Sequence, residues 1–247
     1  MSSKFFLWAG LSAFLLIAAP GLGAAAGAPD QAELSAKFAA ANEAYDQQDF
    51  ARSFALFREV AEQGDAAAGF NVGNMYKTGK GVPKSDAEAV RWFRLAAAQN
   101  VGLAQLALGV MYAEGRGVPR NYAEAVKWNR LAAGQGVALA DYNLGVAYHA
   151  GQGVARNDAE ARKWFLLAAQ GGDPGGQASL GRMYANGEGG AKDPVKGYIW
   201  YSVAADGGDP RSADARDSLE ETMTPDQVAA AKDTAMRCSQ SKGKECE

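Results

Sequence analysis

Apolar and polar positions recur along this chain with a period of 36 residues. The stretch GVPRNYAEAVKWNRLAAGQG, residues 117–136, is preceded one period earlier by GVPKSDAEAVRWFRLAAAQN and followed one period later by GVARNDAEARKWFLLAAQGG. The columns that keep this register without an insertion are Trp92, Trp128, Trp164 and Trp200; Tyr76, Tyr112, Tyr148 and Tyr184; and Gly73, Gly109, Gly145 and Gly181. A fixed period of this length is typical of repeat architectures. The pattern therefore predicts stacked copies of one folding unit.

Each unit is predicted to open with a first helix that carries the pattern A-x-x-x-L-G-x-x-Y, as in residues 104–112. The apolar residues of this pattern recur about four apart and share one helix face. Cap candidates at the start are Asp65, Asp173 and Asp209, and the predicted ends are Gly79, Gly115, Gly151 and Gly187. Glycine inside a helix costs about 1 kcal/mol relative to alanine. The internal glycine column therefore predicts a close approach between neighbouring helices.

The second helix of each unit, about 14 residues long, is predicted to follow a column of side chains that can accept hydrogen bonds from the free N–H groups of a helix start. This N-cap column is Asp49, Ser85, Asn121, Asn157 and Asp193. Glu88, Glu124 and Glu160 follow three residues later and predict capping boxes. The predicted ends are Gly64, Asn100, Gly136, Gly172 and Gly208, residue types that tolerate a left-handed backbone. Stacked helix pairs bury a continuous core, so the fold class predicted is all-α, an α-solenoid of antiparallel helix pairs.

The N-terminus has the layout of a secretory signal peptide over residues 1–26, with Lys4, an apolar run, and small residues before Gly27. An uncleaved anchor is the alternative, because no charge occurs from residue 5 to residue 28. With the signal removed, we expect a periplasmic or secreted protein without a stable membrane span. The net charge of −3 gives no concentrated basic face for nucleic acid.

The domain plan that follows has four parts. After the signal peptide, residues 27–64 are predicted to form a divergent N-terminal helix pair that caps the array. Residues 65–208 form four repeats, and residues 209–247 form C-terminal capping helices with a disulfide tail. The capping helix is expected to open at Thr224, which is followed by proline and by glutamine at the capping-box position.

The repeat motifs resemble those of a known family. A-x-x-x-L-G-x-x-Y, a G-x-G-V loop, and A-E-A-x-x-W followed by L-A-A-x-G are similar to the Sel-one-like repeats, relatives of the tetratricopeptide repeats, and the resemblance covers residues 65–208. It implies a right-handed superhelix whose concave side binds proteins or peptides, commonly as an adaptor in signalling or envelope assembly. Some secreted members carry a disulfide in every repeat and are linked to β-lactam binding. This chain has no cysteine in any of the four repeats, so that activity is not carried over.

Few residues offer catalytic chemistry. Cys238 and Cys246 are an even, closely spaced pair, which favours a structural disulfide in an exported protein over a redox or metal pair. His149 is the only histidine, and we interpret it as a surface residue rather than a catalytic base. The tryptophan column is interpreted as core, with a carbohydrate-stacking ladder as the alternative. We therefore expect no catalytic residue, no metal site and no cofactor.

The residues that vary between repeats on the first helices are the candidates for partner binding. By the resemblance, first helices line the concave face, and the alternative is that these residues are only solvated surface. The candidates are Asn71, Asn74, Lys77, Gln105, Asp141, Asn143, His149, Gln177 and Arg182. The function predicted is a non-enzymatic exported adaptor or scaffold for a protein or peptide. The alternative is a protein that binds peptidoglycan or exopolysaccharide, a cell-wall glycan, or a cell-wall hydrolase.

Overall fold

The structure is a computed structural model that describes residues 31–241 and Cys246. The signal peptide predicted over residues 1–26 lies outside these residues. The described part of the chain forms helices and no strand. The helices are α1 (Gln31–Asp46), α2 (Phe50–Glu62), α3 (Ala66–Thr78), α4 (Asp86–Ala98), α5 (Gly102–Glu114), α6 (Tyr122–Ala133), α7 (Ala138–Ala150), α8 (Asp158–Gln170), α9 (Pro174–Asn186), α10 (Pro194–Asp206), α11 (Pro210–Glu220) and α12 (Pro225–Gln240).

Consecutive helices pack side by side, first within a pair and then from one pair to the next. The pairs α3/α4, α5/α6, α7/α8 and α9/α10, called units 1 to 4 below, follow the 36-residue period. The pair α1/α2 packs before unit 1, and both α11 and α12 pack on α10. The chain is thus an all-α solenoid, as the sequence predicts.

The N-cap column of the second helices forms as predicted. Every one of its five side chains accepts a hydrogen bond from the backbone N–H three residues on. The capping boxes expected at Glu88, Glu124 and Glu160 lack their other half. These carboxylates pair instead with the cations at Arg91, Lys127 and Lys163. In these three helices the glutamate pairs with a cation one turn later and not with the backbone N–H of the N-cap residue. The capping box at Thr224 and Gln227 is complete.

The G-x-G loop between the two helices of a unit rests on the preceding unit. Gly117 has φ 68°, and a Cβ there would lie 2.3 Å from the carbonyl oxygen of Asp86 at the start of α4. Gly81, Gly153 and Gly189 approach the first residue of the preceding second helix in the same way. No other residue type fits both the positive φ and the close approach. This contact is consistent with the constant 36-residue spacing of the units.

The glycine column inside the first helices accommodates a ring from the second helix of the same unit. A Cβ on Gly145 would lie 2.6 Å from the ring of Phe165. Gly73 faces Phe93 and Gly181 faces Tyr201 in the same manner. The close approach expected from the sequence is therefore that of the first-helix backbone to an aromatic ring on the second helix of the same unit.

The tryptophan column is core at its two ends only. Trp92 and Trp200 are buried, whereas Trp128 and Trp164 are half-buried. The next column is the more deeply buried in units 1 and 3, where Phe93 is 0% and Phe165 is 2% exposed. The main ring packing of these two units therefore lies one residue after the tryptophans.

The C-terminal helix closes the array. Ala231 and Ala235 of α12 are buried in the cluster that contains Trp200. Cys238 and Cys246 are paired there with a Cα–Cα distance of 4.7 Å, a separation that a disulfide spans. Of the helices described, none is long and apolar enough to cross a bilayer.

Candidate functional site

Three columns of the first helices form one continuous surface, which we call the first-helix face. They are spaced three residues apart, so they are neighbours on a helix surface. The columns are Asn71, Ala107, Asn143 and Ser179; Asn74, Val110, Val146 and Arg182; and Lys77, Ala113, His149 and Ala185. All of these residues are half-buried except the buried Ala185. Six of the nine predicted partner-binding residues lie on this face.

The other three predicted residues, Gln105, Asp141 and Gln177, are buried, and their assignment to an accessible groove is wrong. They form one column at the contact of a first helix with the preceding second helix. The amide nitrogen of Gln105 donates to the carbonyl of Ala97 at 3.3 Å, and that of Gln177 to the carbonyl of Ala169 at 3.5 Å. The two glutamines thus add a second hydrogen bond to carbonyls of the last helical turn, which also accept from the backbone N–H groups of Asn100 and Gly172 at 3.0 Å.

Asp141 occupies the same column with a carboxyl group in place of an amide. It is 8% exposed, and its side chain forms no hydrogen bond with another described residue. Burial raises the pKa of Asp141 to about 6, because the charged form loses its hydration. An ionised carboxylate cannot donate to a carbonyl as the two glutamines do. Unit 3 therefore holds an ionisable group where units 2 and 4 hold a neutral donor.

The polar residues at the unit 1 end of the face are uncommitted. The side chains of Asn71, Asn74 and Lys77 form no hydrogen bond or ion pair with another described residue. They therefore present two amides and one cation to solvent. These groups can hydrogen-bond to an extended backbone or to polar side chains of a partner.

Farther along the face, the charged candidates are already paired. His149 Nδ1 lies 2.7 Å from Asp158 Oδ1, and Arg156 Nη2 lies 2.8 Å from Asp158 Oδ2. The Arg156 guanidinium and then His149 hold the pKa of Asp158 below its usual range. Arg182 pairs with Glu188 in unit 4. A partner must compete with these contacts, whereas in unit 1 it meets side chains that form no hydrogen bond or ion pair with another described residue.

Between α5, α6 and α7, where the face is most apolar, lies a cavity of about 190 Å³. We call it the Asn129 cleft. Its lining is Gly109, Val110, Ala113, Glu114, Tyr122, Ala125, Val126, Asn129, Asn143, Val146, Ala147 and Gln152. Asn129 stands where units 1, 3 and 4 place Phe93, Phe165 and Tyr201, so the smaller side chain leaves the space of a ring. The sequence interpretation did not include Asn129, although its departure from an aromatic column was visible there.

A larger and more open depression of about 580 Å³ lies between α10, α11 and α12. Its charged groups pair with one another: Lys232 Nζ lies 2.8 Å from Glu220 Oε1, and the Tyr198 hydroxyl donates to Glu220 Oε2 at 3.1 Å. Burial raises the pKa of Tyr198, and Glu220 adds to the effect. These contacts join α12 to the last unit, so we interpret the depression as part of the C-terminal cap.

Within the described residues, no three His, Cys, Asp or Glu side chains converge as they do around a metal ion. The arrangement offers hydrogen bonding, charge and the Asn129 cleft. What it supports is recognition of a surface or a chain.

Comparison with known proteins adds the family. The model of the Sel1 repeat matches residues 44–65, 66–101, 102–137, 138–173 and 174–209. A protective antigen of uropathogenic Escherichia coli strains, which displays an SLR fold, aligns with a TM-score of 0.76 and 31% identity over 86% of this chain. The alignment covers 48% of that antigen, so this chain spans about half its length. A Sel1 repeat protein from Oxalobacter formigenes aligns with a TM-score of 0.66 and 33% identity, over 71% of this chain and 72% of that one. A comparison with curated proteins returns no match.

Proposed function

Because the chain belongs to the Sel1 repeat family, whose members generally act as protein-interaction scaffolds, we propose that it is an exported, non-enzymatic adaptor. It binds a protein or peptide partner along the first-helix face. The binding residues in this proposal are Asn71, Asn74, Lys77, Asn143, His149 and Arg182. The partner is a protein segment of extended conformation, held by hydrogen bonds and by one apolar anchor.

The observation that carries this proposal is the contrast along the first-helix face. Asn71, Asn74 and Lys77 have no partner among the described residues, whereas the apolar Asn129 cleft opens two helices farther on. Unpaired amides suit the backbone of an extended segment, and a cleft suits a side chain. Affinity concentrated in a few buried anchors with a polar surround is the usual arrangement of protein interfaces.

Export is supported by two features of the chain. Residues 1–26 have the composition of a signal peptide. Cys238 and Cys246 are both buried and paired, and a structural disulfide persists in oxidising compartments such as the periplasm. We propose the periplasm or the exterior as the location and a disulfide as the state of this pair.

A capture experiment tests the binding face. The protein purified from a host that processes its N-terminal segment is immobilised and exposed to cell-envelope extract, and the retained proteins are identified by mass spectrometry. The variant combines Asn74→Ala, Lys77→Ala, Asn143→Ala and Arg182→Ala. The control combines Lys127→Ala and Lys163→Ala, which also removes two positive charges, here from exposed positions on second helices.

The proposal predicts a protein that the wild type and the control retain and that the variant loses. The interaction is then measured with both proteins purified. Retention of the same protein by all three contradicts the first-helix face. Retention of peptidoglycan fragments instead of protein contradicts the adaptor and favours a glycan-binding protein.

A further inference from the structure

The cavity beside α6 results from a single departure from an otherwise regular packing. In units 1, 3 and 4 a ring fills the space opposite the helix glycine: Phe93 on Gly73, Phe165 on Gly145, and Tyr201 on Gly181. Unit 2 keeps the glycine, Gly109, and replaces the ring with Asn129. The Asn129 amide fills the space nearest the glycine, where a Cβ on Gly109 would lie 2.7 Å from its Oδ1, and the shorter side chain leaves room beyond it.

The size of the Asn129 cleft fits this description. Its volume is about 190 Å³, whereas an apolar cavity of about 150 Å³ is enough to bind benzene. Its apolar lining comes from three helices and includes Val110, Val126 and Val146. Val110, Ala113 and Val146 also belong to the first-helix face, so the cleft opens on the proposed binding surface.

The polar groups of the cleft define the ligand further. Asn129 is 5% exposed, and its Oδ1 accepts a long hydrogen bond of 3.4 Å from Asn143 Nδ2. Its Nδ2 forms no hydrogen bond with another described residue. This nitrogen is not fully buried, so it can bond to water in the free protein, and an acceptor on the ligand takes the place of that water.

The charge of the lining excludes other ligands. The cleft contains no cationic side chain among its described residues, and its one carboxylate, Glu114, pairs with Arg116 at 3.3 Å. An anionic ring would find no cation in this lining to pair with. An indole offers only a donor, so it cannot accept from Asn129 Nδ2.

We propose that the Asn129 cleft binds one neutral aromatic ring that carries a hydrogen-bond acceptor, namely the phenol of a tyrosine in an extended peptide. The ring lies in the cleft beside the Asn129 amide, and the phenol oxygen accepts from Asn129 Nδ2. The peptide as the source of the ring rests on the proposed function. Binding of the ring itself does not.

Small phenols test the cleft without any knowledge of the partner. The purified protein is titrated with 4-methylphenol and, in parallel, with toluene, which has the same ring and no oxygen. Binding is followed by the NMR signals of the Asn129 side-chain amide and of the Gly109 backbone. We expect both signals to shift with 4-methylphenol, and the affinity to exceed that for toluene about three- to tenfold, the effect of one added hydrogen bond.

The variant Asn129→Phe supplies the missing ring from within. We expect it to weaken binding of 4-methylphenol by at least about tenfold. Ala113→His is a second variant that narrows the cleft, at a column where unit 3 already carries His149, so the fold accommodates it. Lys127→Ala is the control, exposed on the same helix as Asn129, and we expect it to bind as the wild type does.

The outcomes separate this inference from the proposed function. Failure of 4-methylphenol to shift either signal, or equal binding to the wild type and Asn129→Phe, overturns the ring site even if the capture experiment succeeds. Displacement of 4-methylphenol by acetyl-Gly-Tyr-Gly-amide, and not by the same peptide with alanine, supports a peptide source. Binding of the phenol without displacement overturns the peptide source and leaves a site for free small aromatics.

Discussion

Units 2 and 3 have the same backbone plan and use it differently. In unit 3, Phe165 is 2% exposed, packs on Gly145 and lies 5.8 Å from the ring of Tyr142. In unit 2, the matching residue is Asn129, and a cleft of about 190 Å³ takes the place of the ring. The residue in this one column thus decides whether the unit packs a ring there or keeps a cleft. In a solenoid each unit is stabilised by itself and its neighbours, so one unit can give up packing without loss of the others.

The largest effect is expected where the packing of unit 3 is removed. Phe165→Ala deletes a fully buried ring, and we expect a loss of about 3 to 5 kcal/mol in the free energy of unfolding. Chemical denaturation followed by circular dichroism measures it. Leu167→Ala on the same helix is the matched control. Because Leu167 is 48% exposed, we expect this variant to lose less than about 1 kcal/mol in the free energy of unfolding. Equal losses for the two variants contradict the assignment of Phe165 to the core.

The glycine that receives the ring is the next target. Gly145→Ala places a methyl group 2.6 Å from Phe165 and forces the ring to move, with an expected loss of up to about 3 kcal/mol. Gly134→Ala is the control, because Gly134 has right-handed helical backbone and meets only its own helix carbonyls at 3.5 Å. That change should be neutral or slightly stabilising. A Gly145→Ala variant as stable as the wild type would contradict the close packing of Phe165 on this glycine.

A pH-dependent difference between the units is expected at Asp141. Its folded pKa of about 6 lies above the reference value of 3.8, so the folded state binds the proton more tightly. The stabilisation is complete below the reference pKa and is lost as pH rises through about 6, a change of about 3 kcal/mol in total and of about 2 kcal/mol between pH 4.5 and 7.5. Asp141→Gln installs the residue of units 2 and 4 and should remove this slope. Denaturant midpoints of both proteins between pH 4.5 and 7.5 measure it, and parallel curves would contradict the prediction.

The smallest effect is expected when unit 2 is given the residue of unit 3. Asn129→Phe fills the cleft and should raise the free energy of unfolding by about 1 kcal/mol, as cavity filling commonly does. Thermal unfolding measures it, with Lys127→Ala as the unchanged reference. A destabilised Asn129→Phe would mean that the backbone of unit 2 is not shaped for a ring.

The helix boundaries of this fold were predictable because their signals are local. An N-cap such as Ser85 bonds to a residue three positions away, and a left-handed C-cap such as Gly115 depends on its own backbone. The capping boxes failed at Glu88, Glu124 and Glu160 because the competing cations, Arg91 among them, lie equally near in the sequence. A sequence motif alone does not show which of two nearby partners, the N-cap N–H or the cation, the glutamate will bind.

The candidate site was predicted less well because exposure depends on the neighbouring unit. Gln105, Asp141 and Gln177 were assigned to the surface as polar residues of a first helix, yet the preceding second helix covers them. Their shared column was the available signal, because a polar type that recurs at one period satisfies a recurring buried partner. Asn129 carried the opposite signal, a polar residue in a column of rings. Both signals lie in the comparison of units and not in any single unit.

The contact of each G-x-G loop with the unit before it also gives the array a direction of assembly. Gly117 fits against the Asp86 carbonyl, and Gly81 against that of Phe50 in the N-terminal pair. A chain that emerges from its N-terminus therefore completes every docking surface before the loop that needs it is made. Each unit thus presents the carbonyl on which the loop of the next unit rests, so a duplicated 36-residue segment keeps this contact at both of its ends.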